Sequence, residues 1–249
     1  MVDYWINHGV AAWHFTSFAD AILRAVCGRY VSPDEASIER EFSLVHSEWQ
    51  FPTSFNVAPT QNVPVIRAVE GKPHGSLMRW GLIPFFARGV PPKYSTINAR
   101  VETVQTAASY RGPWTRGQRC LQVAAGFYEW QVQADGKTKV PYYIHCNDQP
   151  IFAFAALWDS SRTDAGDRIE SVVHITLSAN RLVGEIHNTK LRMPAILEKA
   201  DREAWLTGTP EEAWEALTPY PDDLMVAWPV STRVNAPKNN DASLVEPAH

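Results

Sequence analysis

The 249-residue chain has only three cysteines, Cys27, Cys120 and Cys146, too few for a disulfide framework at this length. None forms a C-x-x-C pair, so neither a structural zinc site nor any other metal site is expected. Long apolar runs are missing too. The longest clean stretch, Ile151 to Trp158, is far short of a membrane span, and no membrane association is expected. A secretory leader is not evident in the first 26 residues: Asp3 replaces a basic start, and Asp20 and Arg24 interrupt the apolar stretch. These absences together point to the reducing cytoplasm. Nor is there an excess of positive charge. With 23 Lys and Arg against 27 Asp and Glu, the formal charge is -4, which excludes a strongly basic nucleic-acid binder as a description of the whole chain.

What is present is an ordinary globular composition, 45% apolar and 20% charged, with 10 Trp, 8 Tyr and 10 Phe. The length suits one domain or two small ones with a sizeable core. The charge is uneven. From Ile66 to Arg119 there are nine basic residues and two acids (Glu70, Glu102), a balance of +7, and the remainder carries -11. Such a segment is either an electrostatic footprint for phosphate or a set of surface arginines that the acidic parts neutralise in the fold.

Ser32-Pro33-Asp34-Glu35 offers an N-cap, a proline at N1 and an acid at N3, so a helix is expected from Pro33 to about Val45. An amphipathic helix is expected around Phe15 to Ala25. Strands are expected at Val63–Val69, Ser76–Trp80, Arg119–Ala124, Phe127–Val132, Lys139–His145, Ile151–Trp158, Glu170–Leu177 and Leu224–Trp228. Helices are expected at Val101–Ser109, Ala200–Leu206 and Glu211–Leu217. Hairpins with interspersed helices imply an α+β fold around a mixed, largely antiparallel, barrel-like β core with flanking helices. The polar stretch from Ala236 onward reads as a mobile tail.

Five segments carry residue types suited to chemistry. Cys27-Gly28-Arg29-Tyr30 places a thiol beside a glycine, although most lone cysteines are buried small hydrophobes. Asn98-Ala99-Arg100-Val101-Glu102 puts three polar side chains at an expected helix start, suited to an anion or merely to capping. Gly126-Phe127-Tyr128-Glu129-Trp130 sets Glu129 on the Phe127 face of a strand. A carboxyl there either has a raised pKa suited to proton transfer or pairs with an arginine. His187 lies in a polar loop ahead of Arg192-Met193-Pro194, where a histidine can donate protons or bind substrate. Arg79-Trp80-Gly81-Leu82-Ile83-Pro84 mixes a cation with an indole, suited to stacked bases or simply to a core tryptophan beside a turn.

In order along the chain, these segments strongly resemble the SRAP family, the SOS-response-associated peptidase domain proteins. Asn56-Val57-Ala58-Pro59-Thr60-Gln61 and Val234-Asn235-Ala236-Pro237-Lys238 add to the resemblance, which spans about residues 27 to 238. It implies a protein that senses abasic sites in single-stranded DNA, without cofactor or metal, and is captured by them through a thiazolidine crosslink. It implies Cys27 as the nucleophile. Asn98, Glu129 and His187 match the other active-site positions, and Arg29, Trp80 and Arg100 match the DNA-contacting neighbourhood. A monomer in the bacterial cytoplasm, at the nucleoid when bound to DNA, is the implied setting. Thiol (auto)peptidase activity through Cys27, AP-lyase-type strand cleavage, and a noncovalent single-strand-binding module are the alternatives.

The chain departs from the family pattern at three places. Val123 and Ala125 stand where the family usually has Pro and Asp. Asn188-Thr189-Lys190-Leu191 lengthens the stretch between His187 and Arg192. Cys27 is internal, and its nitrogen is an amide as written. The crosslinking chemistry therefore expects residues 1–26 to be a misassigned start, with Val26 read from GTG, or a removed leader. Residues 27–238 are then the catalytic domain and 239–249 a polar tail.

Overall fold

A strand whose residues are buried on both faces must be covered on both, and Phe152 to Leu157 are fully buried without a break in their alternation. The computed structural model, which describes residues 28–44 and 49–248, shows how. Strands β3 (Asn62–Val69), β4 (Lys72–Trp80), β6 (Arg119–Ala124), β9 (Phe152–Arg162) and β10 (Arg168–Ser178) close into a ring in the order β10-β4-β3-β6-β9-β10. Four of the five pairings are antiparallel, and β4–β10 is parallel. Closure leaves no open edge, and the barrel-like α+β core expected from the sequence is what forms.

Against this barrel lies a second sheet, ordered β13 (Met225–Pro229), β8 (Lys139–Cys146), β7 (Gly126–Val132), β1 (Arg29–Ser32) and β2 (Ser54–Val57). Phe127 of β7 and Phe154 of β9 meet edge-to-face at 6.1 Å, joining the two sheets in one core. Gly126 begins β7 because nothing larger fits: a Cβ there would sit 2.3 Å from the Tyr143 ring. The barrel interior is aromatic. Tyr30, Trp80, Phe154 and His174 pack with ring centroids 5.2–6.0 Å apart.

Strand β10 runs past the end of its pairing with β9 and β4. One edge pairs β9 through His174 and then β11 (Arg192–Pro194) from Thr176 to Ser178. The other pairs β4 at Ser171–Val172 and then β5 (Asn98–Arg100) from His174 to Thr176. Its C-terminal half thus leaves the barrel flanked by β5 and β11.

Three expectations need correction. The first helix among the described residues, α1 (Glu35–Phe42), starts two residues later than expected. Asp34 takes the cap by accepting from the Ser37 amide at 3.0 Å, while Ser32 is the last residue of β1. It also ends early, at Phe42, where Ser43 turns left-handed with φ +51° and closes the helix three residues before the expected Val45. The expected helix at Phe15–Ala25 lies outside the described residues.

The helix expected over Val101–Ser109 is a single 3₁₀ turn at Val101–Thr103 followed by further turns. Val101, Thr103, Val104 and Thr106 are β-branched, and the Thr103 and Thr106 hydroxyls donate to the Arg100 and Thr103 carbonyls, competing with a helical ladder. Asn98 therefore sits on a strand. The regular helix in this region is α2 (Arg111–Thr115), and α3 (Arg181–Ile186), α4 (Arg202–Thr207) and α5 (Pro210–Glu215) follow.

The tail is docked rather than free. Leu244 is fully buried, the Phe55 amide donates to Asn240 Oδ1 at 2.7 Å, and the Trp228 indole donates to the Val245 carbonyl at 2.8 Å. One apolar anchor in a polar stretch was enough. Among the described residues, no helix is long and apolar enough to cross a membrane.

His174 lies wholly inside the barrel, and neither ring nitrogen meets a hydrogen-bond partner among the described residues. Burial pushes its pKa down to about 3 from 6.5. The folded state therefore refuses a proton that the unfolded chain accepts. This stability is whole above about pH 6.5 and falls by roughly 1.4 kcal/mol per pH unit until about pH 3. Urea unfolding at pH 7 and pH 5 should show the consequence. A His174→Phe variant should lose about 2 kcal/mol of the difference between the two pH values, and an undiminished difference would exclude His174 as its source.

Candidate active site

Glu129 lies on β7, and the strand's alternation sets it on the side of Phe127, away from Tyr128 and Trp130. Strand β1 pairs β7 with Arg29 opposite Tyr128 and Tyr30 opposite Phe127. One further step of this register brings the Gly28 position to Glu129. Cys27, the residue before it, lies outside the described residues.

His187 reaches the same place from the other direction. It ends α3, whose cap Asn180 accepts from the Val183 amide at 2.9 Å. The end of α3 is fastened to β7: Gln131 donates to the Glu185 carbonyl at 3.0 Å, and Asn188 exchanges two hydrogen bonds with the Val132 backbone at 3.1 and 2.8 Å. His187 Nδ1 then lies 4.0 Å from Glu129 Oε1 and 3.0 Å from the Arg192 carbonyl oxygen. Both side chains are almost fully buried. A buried carboxylate facing an imidazole is an arrangement that can accept, hold and return a proton.

Asn98 joins from β5, opposite His174 of β10, and Arg100 follows it, opposite Thr176, with its side chain in solvent. The segment before Asn98 is held by the Trp80 indole, which donates to the Ile97 carbonyl at 3.0 Å. Arg192 spans the two halves. Its guanidinium donates to the Glu102 carboxylate and, at 2.5 Å, to the Thr176 carbonyl. That hydrogen bond holds the Glu102 carboxyl below the usual glutamate range. The structure thus brings Glu129 and His187 into direct opposition and ties the strand of Asn98 and Arg100 to them through Arg192.

Two expected contact residues are elsewhere. The Trp80 ring is 0% exposed, packed on Tyr30 and His174, so it offers no face for a stacked base. Arg29 is 4% exposed and donates to Asn56 Oδ1 and to the Val234 and Asn235 carbonyls. Burial lowers its pKa, and its role is to fasten the C-terminal segment to β1. Both expectations are corrected for the same reason: the charge or ring is consumed inside the fold.

Part of the +7 segment is neutralised in the same way. Arg67, Arg88 and Arg116 pair with Glu170, Asp164 and Asp159, and Arg119 is buried against the Trp205 and Gly208 carbonyls.

Exposed aromatic groups lie five residues beyond Trp80. Phe85 and Phe86 are 56% and 51% exposed in the loop between β4 and β5. The base of that loop is rigid, with the Ile83, Phe85 and Gly89 amides donating to Ser171 Oγ, Asp159 Oδ2 and Ser161 Oγ at 2.8–2.9 Å. Arg116 lies over the Phe85 ring at 5.2 Å. A cavity of about 190 Å³ opens beside the loop, lined by Pro59, Thr60, Arg79, Lys93, Tyr94 and Ile97 among others. The available signal in the sequence was Phe85-Phe86 bracketed by Pro84 and by Gly89-Val90-Pro91-Pro92, an apolar pair in a turn-rich stretch.

Among the described residues, a closed mixed barrel, one strand leaving it between two short ones, and a buried Glu–His pair where the first described strand begins define an α+β fold with a carboxyl–imidazole pair at one end of β1. Residues 26–237 match the model of the SOS response associated peptidase (SRAP) family, and the chain belongs to that family. It is 36% identical over 227 residues to the abasic site processing protein YoqW of Bacillus subtilis, covering 89% of this chain and 99% of that one. It is 31% identical to the abasic site processing protein HMCES of Xenopus tropicalis, covering 77% of this chain and 65% of that one. Among solved structures, a protein from Bacteroides thetaiotaomicron superposes with a TM-score of 0.81 at 28% identity, over 90% of this chain and all of that one.

Because Arg29 is buried and holds three acceptors, of which only the Val234 carbonyl has a second donor, Asn56 Nδ2 at 3.2 Å, Arg29→Met should lower the unfolding free energy by about 2–4 kcal/mol. Chemical denaturation measures this directly. A loss under about 0.5 kcal/mol, the size of an ordinary surface change, would return Arg29 to the surface contacts.

Proposed function

We propose that this protein processes abasic sites in single-stranded DNA by covalent capture through Cys27. The observation that carries the reading is the 4.0 Å approach of His187 to the buried Glu129 at the point where the chain enters β1, two residues after Cys27. The names of the relatives and the family's membership support it.

The chemistry requires that Cys27 carry a free α-amine in the acting protein. The open form of an abasic sugar exposes an aldehyde. The amine attacks it to give a carbinolamine, which loses water to become an imine, and the thiol adds across the imine carbon. The net change is aldehyde plus aminothiol giving thiazolidine plus water, with no oxidant. An α-amine has an unperturbed pKa near roughly 8, so a useful neutral fraction exists at pH 7. Glu129 shuttles protons during ring opening and imine formation. His187 assists, including in reversal or strand cleavage, and Asn98 holds the cysteine or the sugar oxygen. Peptide hydrolysis by the same thiol is the second reading, favoured by the description of the family. The protein acts as a monomer in the bacterial cytoplasm, on nucleoid DNA.

Recognition divides between charge and stacking. Arg100 contacts phosphate beside the site, and the rigid Phe85–Phe86 pair stacks on bases, the role the sequence suggested for Trp80. Arg100→Ala should flatten the salt dependence of single-strand binding by about one unit of slope, while Phe85→Ala should weaken binding without changing the slope. Titrations at three salt concentrations separate the two. An unchanged slope for Arg100→Ala removes the phosphate contact from the scheme.

Protein beginning at Cys27 should form an adduct with abasic single-stranded DNA that survives a denaturing gel, and Cys27→Ala should form none that is stable without borohydride. Glu129→Gln keeps both nucleophiles and nearly the same shape, yet should slow capture by roughly 10² or more under single-turnover conditions. Capture by Glu129→Gln at the unmodified rate would make Glu129 a structural carboxylate. Efficient capture by protein that retains Met1 would contradict the imine route.

A further inference from the structure

The carbonyl of Arg192 decides which nitrogen of His187 carries the proton. A carbonyl oxygen can only accept, and it lies 3.0 Å from His187 Nδ1. The bond exists only if Nδ1 is protonated, and in the other neutral tautomer two lone pairs would face each other in a buried site. The Nδ1–H tautomer leaves Nε2 as the lone-pair nitrogen.

What holds that carbonyl in place is not local. The segment between His187 and Arg192 turns back on itself, with the Leu191 amide donating to the His187 carbonyl at 3.0 Å. Leu191 itself is left-handed, with φ +52°, a conformation costly for a side chain of this kind, and it is exposed. The backbone on either side is paired to β10 and its exit, with the Ala179 amide donating to the Leu191 carbonyl at 2.9 Å and Arg192 opposite Ser178. The Arg192 side chain adds a second anchor: its guanidinium is buried and clamped, by Glu102 on one side and by the Thr176 carbonyl and hydroxyl, at 2.5 and 3.3 Å, on the other. Glu102 sits two residues beyond Arg100, and Thr176 lies opposite Arg100 in β10.

We propose that the Glu102–Arg192 ion pair is a positioning device for His187, fixing the Nδ1–H tautomer through the Arg192 carbonyl and coupling it to the strand that carries Asn98 and Arg100. Glu102 and Arg192 touch no reacting atom in this scheme, and they act through the imidazole. The catalytic consequence rests on the role given to His187 above. The tautomer itself does not.

Two measurements test it, and their failures are distinguishable. In the full chain labelled with ¹⁵N-histidine, long-range ¹H–¹⁵N correlations should show neutral His187 as the Nδ1–H form, with its signals assigned by their loss in His187→Gln. Glu102→Ala should give a tautomer mixture, and Glu102→Gln, which still offers an oxygen to Arg192, should restore most of the Nδ1–H form. An Nε2–H form in the unmodified protein, or no change in Glu102→Ala, overturns the proposal whatever the protein's activity.

The second measurement is single-turnover capture of abasic DNA by protein beginning at Cys27. Glu102→Ala should slow it by roughly 10-fold, part of the 10²–10⁴ that a positioned proton-transfer group supplies. In a His187→Ala background the same change should have no further effect, because groups acting as one unit are not additive. Equal slowing in both backgrounds overturns the proposal. Absence of capture in every protein, with the tautomer shift present, overturns the proposed function and leaves the positioning intact.

Discussion

The site depends on β10 running past the end of its barrel. Inside the ring its edges are taken by β9 and β4, and beyond it by β11 and β5. Backbone groups on an emerging strand must be paired or solvated, so the extension can persist only if short strands dress both its edges. Those short strands are where chemistry is placed. β5 carries Asn98 and Arg100. β11 begins at Arg192, whose carbonyl orients His187. A pairing requirement of the backbone therefore assembles side chains from positions nearly a hundred residues apart.

The other half of the site comes from the second sheet. Glu129 is on β7, beside β1, and α3 is pinned to β7 through Asn188 and Gln131. The meeting of Glu129 and His187 is thus fixed by one sheet, while Asn98 and Arg100 are fixed by the other. Arg192 joins the two, its carbonyl meeting His187 and its side chain holding Glu102 and Thr176. A site divided between two rigid bodies is sensitive to their relative placement, and distances within it need to hold to well under an ångström. An ion pair whose guanidinium is buried, with a second anchor on β10, is a stiffer link than a loop could supply.

Much of this was legible in the residues. The period-two alternation of Phe127 to Val132 and the unbroken apolar run of Ile151 to Trp158 gave strands, and the alternation also placed Glu129 on the Phe127 face correctly. The order of short motifs gave the family. The errors arose where a local signal had two physical readings. Ser32 and Asp34 are both good caps, and only the end of β1 decides between them. Asn98 to Ser109 looks like a capped helix until its β-branched residues and back-bonding threonines are weighed. Arg29 and Trp80 have the right chemistry for nucleic acid, but chemistry does not report burial, and both are enclosed. The tail looked polar because a single leucine anchors it. The Arg192–Glu102 pair spans ninety positions and has no sequence signature at all.

The distribution of charge bears on how the protein engages its proposed substrate. A net charge of -4 opposes approach to DNA, and several arginines of the basic segment are already committed to acids or carbonyls. Arg79 likewise donates to the Gly81 carbonyl at 2.6 Å, while Arg100 beside Asn98 is exposed, so electrostatic affinity for ordinary single strands should be modest. Weak general binding suits covalent capture. A protein that held every single strand tightly would be sequestered by undamaged DNA, whereas one that samples strands and reacts only with an aldehyde draws its selectivity from the bond itself. The exposed Phe85 and Phe86, set on a rigid loop base, supply contact with any base without demanding a sequence. The buried Glu129 and His187 then act only on a sugar that can enter, and discrimination rests on the chemistry of the lesion rather than on the strand around it.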